Sequence, residues 1–448
     1  MAKRIIRFLV AAAFLAVAVP SARAQQMSFI RDAEAENIMR FYAAPIFRAG
    51  GFDPKAIQIH LIADRTLNAF VSNGLNMYFF TGLIMRADNA EQVMGVMAHE
   101  LGHIVGGHLA RMDEKMRQAQ KQSIYAMALG ALAAVATGNP GAAPAAILGG
   151  QQAVMASVLS YSRTQESSAD QAGLKYLDEA GISAQGLYDF FKILEDQELL
   201  AVGRQDPYMR THPLTPERMA AVQAHLAKSP YTNKPLPPIY AVMHNRMKAK
   251  LAGFMDPPQQ VLRKYPETDN SIDARYARSI VYYRIPDLAK AIPLIDGLIA
   301  EEPKNPYFHE LKGQMLFENG RAAEAIPHYQ QSVDTLPDNA LLRTELAQAQ
   351  IESQDMSLNK AAIANLEKAR DIDDDNAQTL RLLATAYGRD GQVGMAALIQ
   401  ADLALGYGRN GEARVLAERA MQNLRQGSPA WQRANDIKHA AETEQSSQ

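Results

Sequence analysis

His99-Glu100-Leu101-Gly102-His103 is the stretch on which the reading of this chain turns. On a helix, residues four apart lie one above the other on the same face, so His99 and His103 can offer two imidazole nitrogens to one ion. Glu100 sits about 100° round the axis, where it can hold a water rather than the ion. For this H-E-x-x-H arrangement zinc is the default metal and the Glu is the general base. A surface helix with two solvated His residues is the plainer alternative. The flanks argue against it. Asp88-Asn89-Ala90-Glu91 reads as an N-cap with a Glu three residues on, and Val93, Met94, Val96, Met97, Leu101, Ile104 and Val105 follow at helical spacing. The helix is apolar enough to be buried, and buried His and Glu without partners are costly.

N-terminal to it, Lys3, Arg4 and Arg7 precede the apolar run Phe8 to Val19, and Ala22-Arg23-Ala24 supplies small residues for a signal peptidase. This reads as a signal peptide cleaved after Ala24, because a dozen apolar residues is short for a bilayer span. The expected location is the periplasm. Cleavage takes four basic side chains with it and moves the net charge from −2 to −6. No basic balance points to nucleic acid. The chain has no Cys, so metal ligands must be nitrogen or oxygen.

Phe29 to Phe47 reads as a mostly helical entry segment and Ala56 to Ala63 as a strand. Leu67 to Val71 and Met77 to Phe80, joined at Ser72-Asn73-Gly74, read as a hairpin. Ordinary sheet packing accounts for most of these side chains, but a strand lining a cleft can also pair with an extended polypeptide. Beyond the His pair, His108 is one residue off the helical position a third ligand would need, and reads as solvated or structural. Glu166 and Asp170 are the better candidates. Four apart on a helix, they place one carboxylate for a metal and one to accept the ring N–H of a ligating His. A catalytic zinc takes three protein ligands and keeps one position open.

Asn68-Ala69-Phe70, His99-Glu100-x-x-His103, Ser162-Arg163-x-x-Glu166-x-x-Ala169-Asp170, and Thr211-His212-Pro213 with Arg218 occur in an order that resembles the gluzincin family of the CAAX prenyl endopeptidases and the bacterial membrane-stress metalloproteases. The resemblance implies one zinc ion held by His99, His103 and Glu166. It makes Glu100 the general base and Asp170 a residue behind the ligands or a proton donor. His212 would steady an oxyanion or bind the metal as a restraining fourth ligand. A His that only caps the turn before Pro213 remains a third reading.

Between the two metal helices, Ile124 to Ser160 is rich in Ala and Gly, with Asn139-Pro140-Gly141 in the middle. A helical hairpin packed on the domain competes with an apolar flap that touches a membrane or partner peripherally, or covers the cleft. After Pro230, Pro235, Pro237 and Pro238 the chain repeats itself. Ala291-Ile292-Pro293 and Pro303 return 34 residues later as Ala325-Ile326-Pro327 and Pro337. Asp338-Asn339-Ala340 returns 37 residues later as Asp375-Asn376-Ala377, and Ala325-Ile326 as Ala362-Ile363. That period reads as four tetratricopeptide repeats, with a capping helix around Ser428 to Lys438. Such solenoids bind polypeptides on a concave face or serve as architectural support.

The expected fold is mainly α: a zincin-like α+β metalloprotease domain with a small sheet, followed by an α-helical tetratricopeptide-repeat solenoid. The expected layout is signal peptide 1–24, protease 25–228, Pro-rich linker and connecting helix 229–270, solenoid 271–438 and polar tail 439–448. The function expected is a periplasmic zinc endopeptidase acting on misfolded or stalled polypeptides. The family resemblance adds outer-membrane proteins or their assembly machinery as partners. The rival is a chaperone or binding module with a latent or structural zinc site.

Overall fold

A computed structural model describes residues 28–72, 74–137, 142–198, 206–374 and 376–445. The export segment 1–24, Asn73 and Asn139-Pro140-Gly141 lie outside the described residues. The N-terminal half is built on a four-stranded sheet of β1 (Phe29–Ile30), β2 (Gln58–Ile62), β3 (Ala69–Ser72) and β4 (Asn76–Phe80), in the order β1-β2-β4-β3. β2 and β4 run parallel, and the other pairs are antiparallel, including the β3–β4 hairpin read from the sequence. Strand alternation sends Ile59, Leu61, Met77 and Phe79 inward against α1 (Ala33–Ala49) and α3 (Ala90–Gly106), while His60 and Tyr78 face outward. A short α2 (Thr81–Arg86) links β4 to α3.

The N-cap of α3 is Asn89, one residue later than Asp88. Asn89 Oδ1 accepts the Gln92 backbone N–H at 3.0 Å, and the Asp88 carboxylate takes the Gln92 side chain at 3.3 Å instead. α3 ends at Gly107, whose φ of +58° a side-chain-bearing residue adopts only with strain.

α4 (His108–Thr137) and α5 (Ala142–Glu179) form the expected hairpin. Its described outer part is not packed on the domain, since Met116, Ile124, Tyr125, Leu148, Met155 and Leu159 are all exposed. Among the described residues no helix is long and apolar enough to cross a membrane. α6 (Gln185–Glu198), α7 (Pro207–Thr211) and α8 (Pro216–Leu226) complete this half.

α9 (Pro238–Met255) and α10 (Pro258–Lys264) follow, and α9 belongs to both halves. Its Met247 and Leu251 enter the N-terminal core, and its Ala249 packs with Ala277 and Val281. Antiparallel helix pairs then stack in order: α11 (Ile272–Arg284) with α12 (Leu288–Glu301), α13 (Pro306–Glu318) with α14 (Ala322–Thr335), α15 (Ala340–Glu352) with α16 (Asn359–Ile372), and α17 (Ala377–Arg389) with α18 (Val393–Gly406). The array closes with α19 (Asn410–Asn423) and α20 (Pro429–Gln445). α20 runs past Lys438 because Ala434, Ile437 and Ala441 recur at helical spacing and bury against Ala413, Ala417 and Ala420. Ala33 at the head of α1 is buried among Leu316, Tyr329 and Leu342, so the two halves share a packed core.

Candidate metal centre

The site is assembled where α5 crosses α3 at very short range. A Cβ on Gly102 would lie 2.6 Å from the Ala169 carbonyl oxygen, so only a glycine there lets the helices approach this closely. That approach delivers Glu166 and Asp170 of α5 to His99 and His103 of α3. His212, immediately after α7, closes the cluster from the other side. Every one of these side chains is buried.

His99 Nε2 lies 3.1 Å from His103 Nε2, 3.4 Å from Glu166 Oε2 and 3.4 Å from His212 Nδ1. His103 Nε2 lies 3.3 Å from Glu166 Oε1, and His212 Nδ1 is 3.2 Å from both Glu166 oxygens. The four donor groups fall within 4.8 Å of one another, the only such group among the described residues. Bonds of about 2.0–2.1 Å to a tetrahedral ion require ligand atoms about 3.3 Å apart. The separations given above are close to that spacing, and three imidazoles with one carboxylate suit a divalent transition metal.

Groups behind this cluster fix its orientation. His99 Nδ1 donates to Asp170 Oδ1 at 2.8 Å, which leaves Nε2 free for a metal. Arg218 on α8 donates to Asp170 through Nε at 2.6 Å and Nη2 at 2.8 Å, and its Nη1 lies 3.0 Å from Glu166 and 2.9 Å from the Pro213 carbonyl oxygen. Its guanidinium rests over the Phe191 ring. Burial pushes the Asp170 carboxyl up, but Arg218 and His99 hold it below the usual range. The charged carboxylate is the form that accepts the His99 ring N–H. Burial acts the same way on Glu166, and His212, His103 and His99 pull it well below the ordinary carboxylate value.

His108 is not solvated. Its ring is buried, with Nδ1 3.0 Å from His103 Nδ1, and burial with the neighbouring His103 lowers it to about 4. A neutral His108 accepts the His103 ring N–H, as Asp170 does for His99. Two further features escaped the sequence reading. Both Glu100 carboxylate oxygens are buried without a hydrogen-bond partner, the nearest imidazole nitrogen being His212 Nε2 at 3.6 Å. The Tyr208 hydroxyl is also buried and unpartnered, with its ring centroid 4.5 Å from that of His212. Unsatisfied buried oxygens at a metal cluster mark places where a water or a reacting group is accommodated.

Residues 31–226 match the model of Peptidase family M48. Among curated proteins, the chain is 26% identical over 330 residues to the beta-barrel assembly-enhancing protease of Escherichia coli K12, covering 73% of this chain and 66% of that one. It is 24% identical over 305 residues to the Yersinia pestis protein of the same name, covering 66% and 61%. The metalloprotease LoiP of Escherichia coli aligns at 28% identity over 177 residues, 39% of this chain and 64% of that protein. The chain thus spans less than two thirds of the length of these relatives. Among solved structures, MamA matches 38% of this chain and 95% of its own at 15% identity and a TM-score of 0.28. The repeat assignment rests on the helix pairs themselves.

Proposed function

We propose that this protein is a zinc-dependent endopeptidase of the periplasm that acts on misfolded or stalled polypeptides, with outer-membrane proteins or their assembly machinery as its partners. The observation that carries the reading is the buried cluster of three imidazoles and one carboxylate beside the unpaired carboxylate of Glu100. His99, His103 and Glu166 would hold the ion. A bound zinc supplies Lewis-acid polarisation and acidifies water to a pKa of about 7. Glu100 takes the proton of the attacking water and passes it to the leaving amine. Asp170, charged by Arg218, keeps His99 in the ligating tautomer. β3 is an outer strand beside the metal helix and offers its backbone to an extended substrate.

His212 favours a second statement about the same site. Its Nδ1 lies 3.2 Å from Glu166 and 3.4 Å from His99 Nε2, which supports the restraining reading, in which α7 shifts before that corner serves water or substrate. The exposed apolar side chains of the α4–α5 hairpin are proposed as a peripheral contact to a membrane or partner.

Metal analysis of purified protein tests the site. Zinc at one ion per chain, lost in Glu166→Gln and retained in Glu100→Gln, is the expected result. Hydrolysis of an unfolded polypeptide should disappear in both. A parent and a Glu100→Gln variant that serve equally well in the cell would favour a binding or chaperone module instead. His212→Ala should raise activity under the restraining reading, and a loss would assign His212 to the reaction.

A further inference from the structure

The outward face of the sheet is aromatic. The strand register places Phe70 of β3 opposite Tyr78 of β4, and Tyr78 beside His60 of β2. Tyr78 stacks on Phe70 and on His60 with ring centroids 4.7 Å apart in each case, and Phe29 of β1 meets His60 at 6.1 Å. One row of rings therefore crosses all four strands. Cross-strand aromatic pairs stabilise a sheet, but that does not explain the far end, where Phe29 is 52% exposed.

Opposite this face stands the repeat array, and the space between them is a cleft of about 1870 Å³. Phe29, Phe41, Ile239, Val242 and Ile372 all line it and are all exposed, so large apolar side chains from both halves converge on one opening. Of its flanking charges, Arg31 pairs with Glu36 and Asp373, and Arg246 with Glu302. The cleft exceeds the roughly 300–1,000 Å³ of small-molecule sites. β1, an outer strand of the sheet, lines it as well, so main chain is presented beside the rings. At the other end of the row, Phe70 lies in β3, and Leu67, just before that strand, accepts the Tyr208 backbone N–H at 3.3 Å.

We infer that this cleft binds an extended polypeptide segment carrying aromatic side chains on one face, a site separate from the metal centre. In an extended chain every second side chain points the same way, so an aromatic residue at alternate positions meets the ring row while the others face the repeat wall. The inference rests on the peptidase reading for the use made of the bound segment, and on the cleft alone for the binding.

The chain has no cysteine, so a single label can be placed at Lys304→Cys, an exposed position lining the cleft. The experiment uses the full exported chain with Glu100→Gln and this label. The probes are a twelve-residue peptide alternating Phe and Thr and its counterpart with every Phe replaced by Ser. The expected result is saturable quenching by the Phe peptide, at least about tenfold weaker for the Ser peptide, and weakened by a similar factor in Phe29→Ser with Phe41→Ser. Both positions are exposed enough for the double variant to fold, which an unchanged melting curve checks. Equal binding of the two peptides, or unchanged binding by the double variant, overturns the inference. So does a label already shielded in the free protein by residues 25–27 or by a second copy. Hydrolysis of a four-residue peptide by the protein with Glu100 intact is measured in parallel. Its absence with aromatic-dependent binding refutes the peptidase reading alone, and its presence with aromatic-independent binding refutes the cleft alone.

Discussion

The molecule buries two clusters of ionisable side chains, and they are put together on opposite principles. At the metal centre, acids and bases are matched: Glu166 and Asp170 face Arg218 and three imidazoles, and the unpaired oxygens are those of Glu100 and Tyr208. At the junction of the two halves, Lys250 of α9 is the cation for Asp32 Oδ2 at 2.7 Å, Glu310 at 3.4 Å and Glu34 at 3.5 Å, and Tyr276 donates to Glu34 at 2.8 Å. Lys250, Glu34 and Glu310 are all buried. The first cluster leaves room for an exchangeable ion. The second has a surplus of carboxylates around a cation that cannot leave, which makes it a fastening between protease and repeats.

If the second cluster is a fastening, removing its one cation has the largest effect on stability. Lys250→Met leaves the buried Glu34 and Glu310 and the half-buried Asp32 without their cation, a change expected to cost about 3–5 kcal/mol in denaturant unfolding. Chelating the metal should leave the junction intact, because Arg218 and the imidazoles still balance Glu166 and Asp170. A Lys250→Met protein as stable as its parent would erase the distinction between the clusters.

The same surplus gives the junction a pH dependence. Burial raises the Glu310 carboxyl to about 7 against the pull of Lys250, and burial raises Glu34 and Glu345 in the same direction. A raised carboxyl binds its proton more tightly in the folded state than in the unfolded chain. Its contribution is therefore fully present below pH 4.5 and is lost as pH rises through 7, by up to about 3 kcal/mol for a shift of this size. His244 and His328, both lowered to about 4 by burial, act with the opposite sign below pH 6.5. The comparison to make is thus between parent and Glu310→Gln in the metal-loaded protein. The melting temperature of the parent should fall relative to that of the variant between pH 5 and 8, and parallel curves would show that Glu310 does not titrate there.

At the metal centre the smaller effect is expected behind the ligands. Asp170→Asn keeps an acceptor for His99 but loses the charge that Arg218 holds, and zinc affinity should drop by about 10–100-fold in competition with a chromophoric chelator. An unchanged affinity would mean that Arg218 and Asp170 serve folding alone.

The metal cluster could be read from the sequence and the junction could not, for a physical reason. His99 with His103, and Glu166 with Asp170, follow helical spacing, so the shared face of each pair is visible before any coordinates, while the family resemblance joined the two pairs and added His212. Lys250, Glu34 and Glu310 lie on three helices brought together only by tertiary packing, and no periodicity links them. His108 shows the limit within the site itself. Helical arithmetic turns it away from His103 only if the helix continues, whereas the left-handed Gly107 ends α3 and brings the His108 ring back onto His103. The repeats were legible for the same reason as the metal helix, since their period is local. The ring row across the sheet was not, because it depends on strand register.

The smallest expected effect sharpens the contrast between buried and exposed charge. Arg31 Nη2 meets Asp373 at 2.8 Å across 342 positions of sequence, tying the segment after β1 to the repeats at the mouth of the cleft. It looks like a second fastening. Yet the Arg31 side chain is 45% exposed and also pairs with Glu36, so solvent and salt screen it. A double-mutant cycle with Arg31→Ala and Asp373→Ala should give a coupling of about 0.2–1 kcal/mol that shrinks further as salt is raised. A coupling as large as the Lys250→Met loss would mean that the halves are held by their rim rather than by the buried cluster. In that case the cleft could open without disturbing the junction at all.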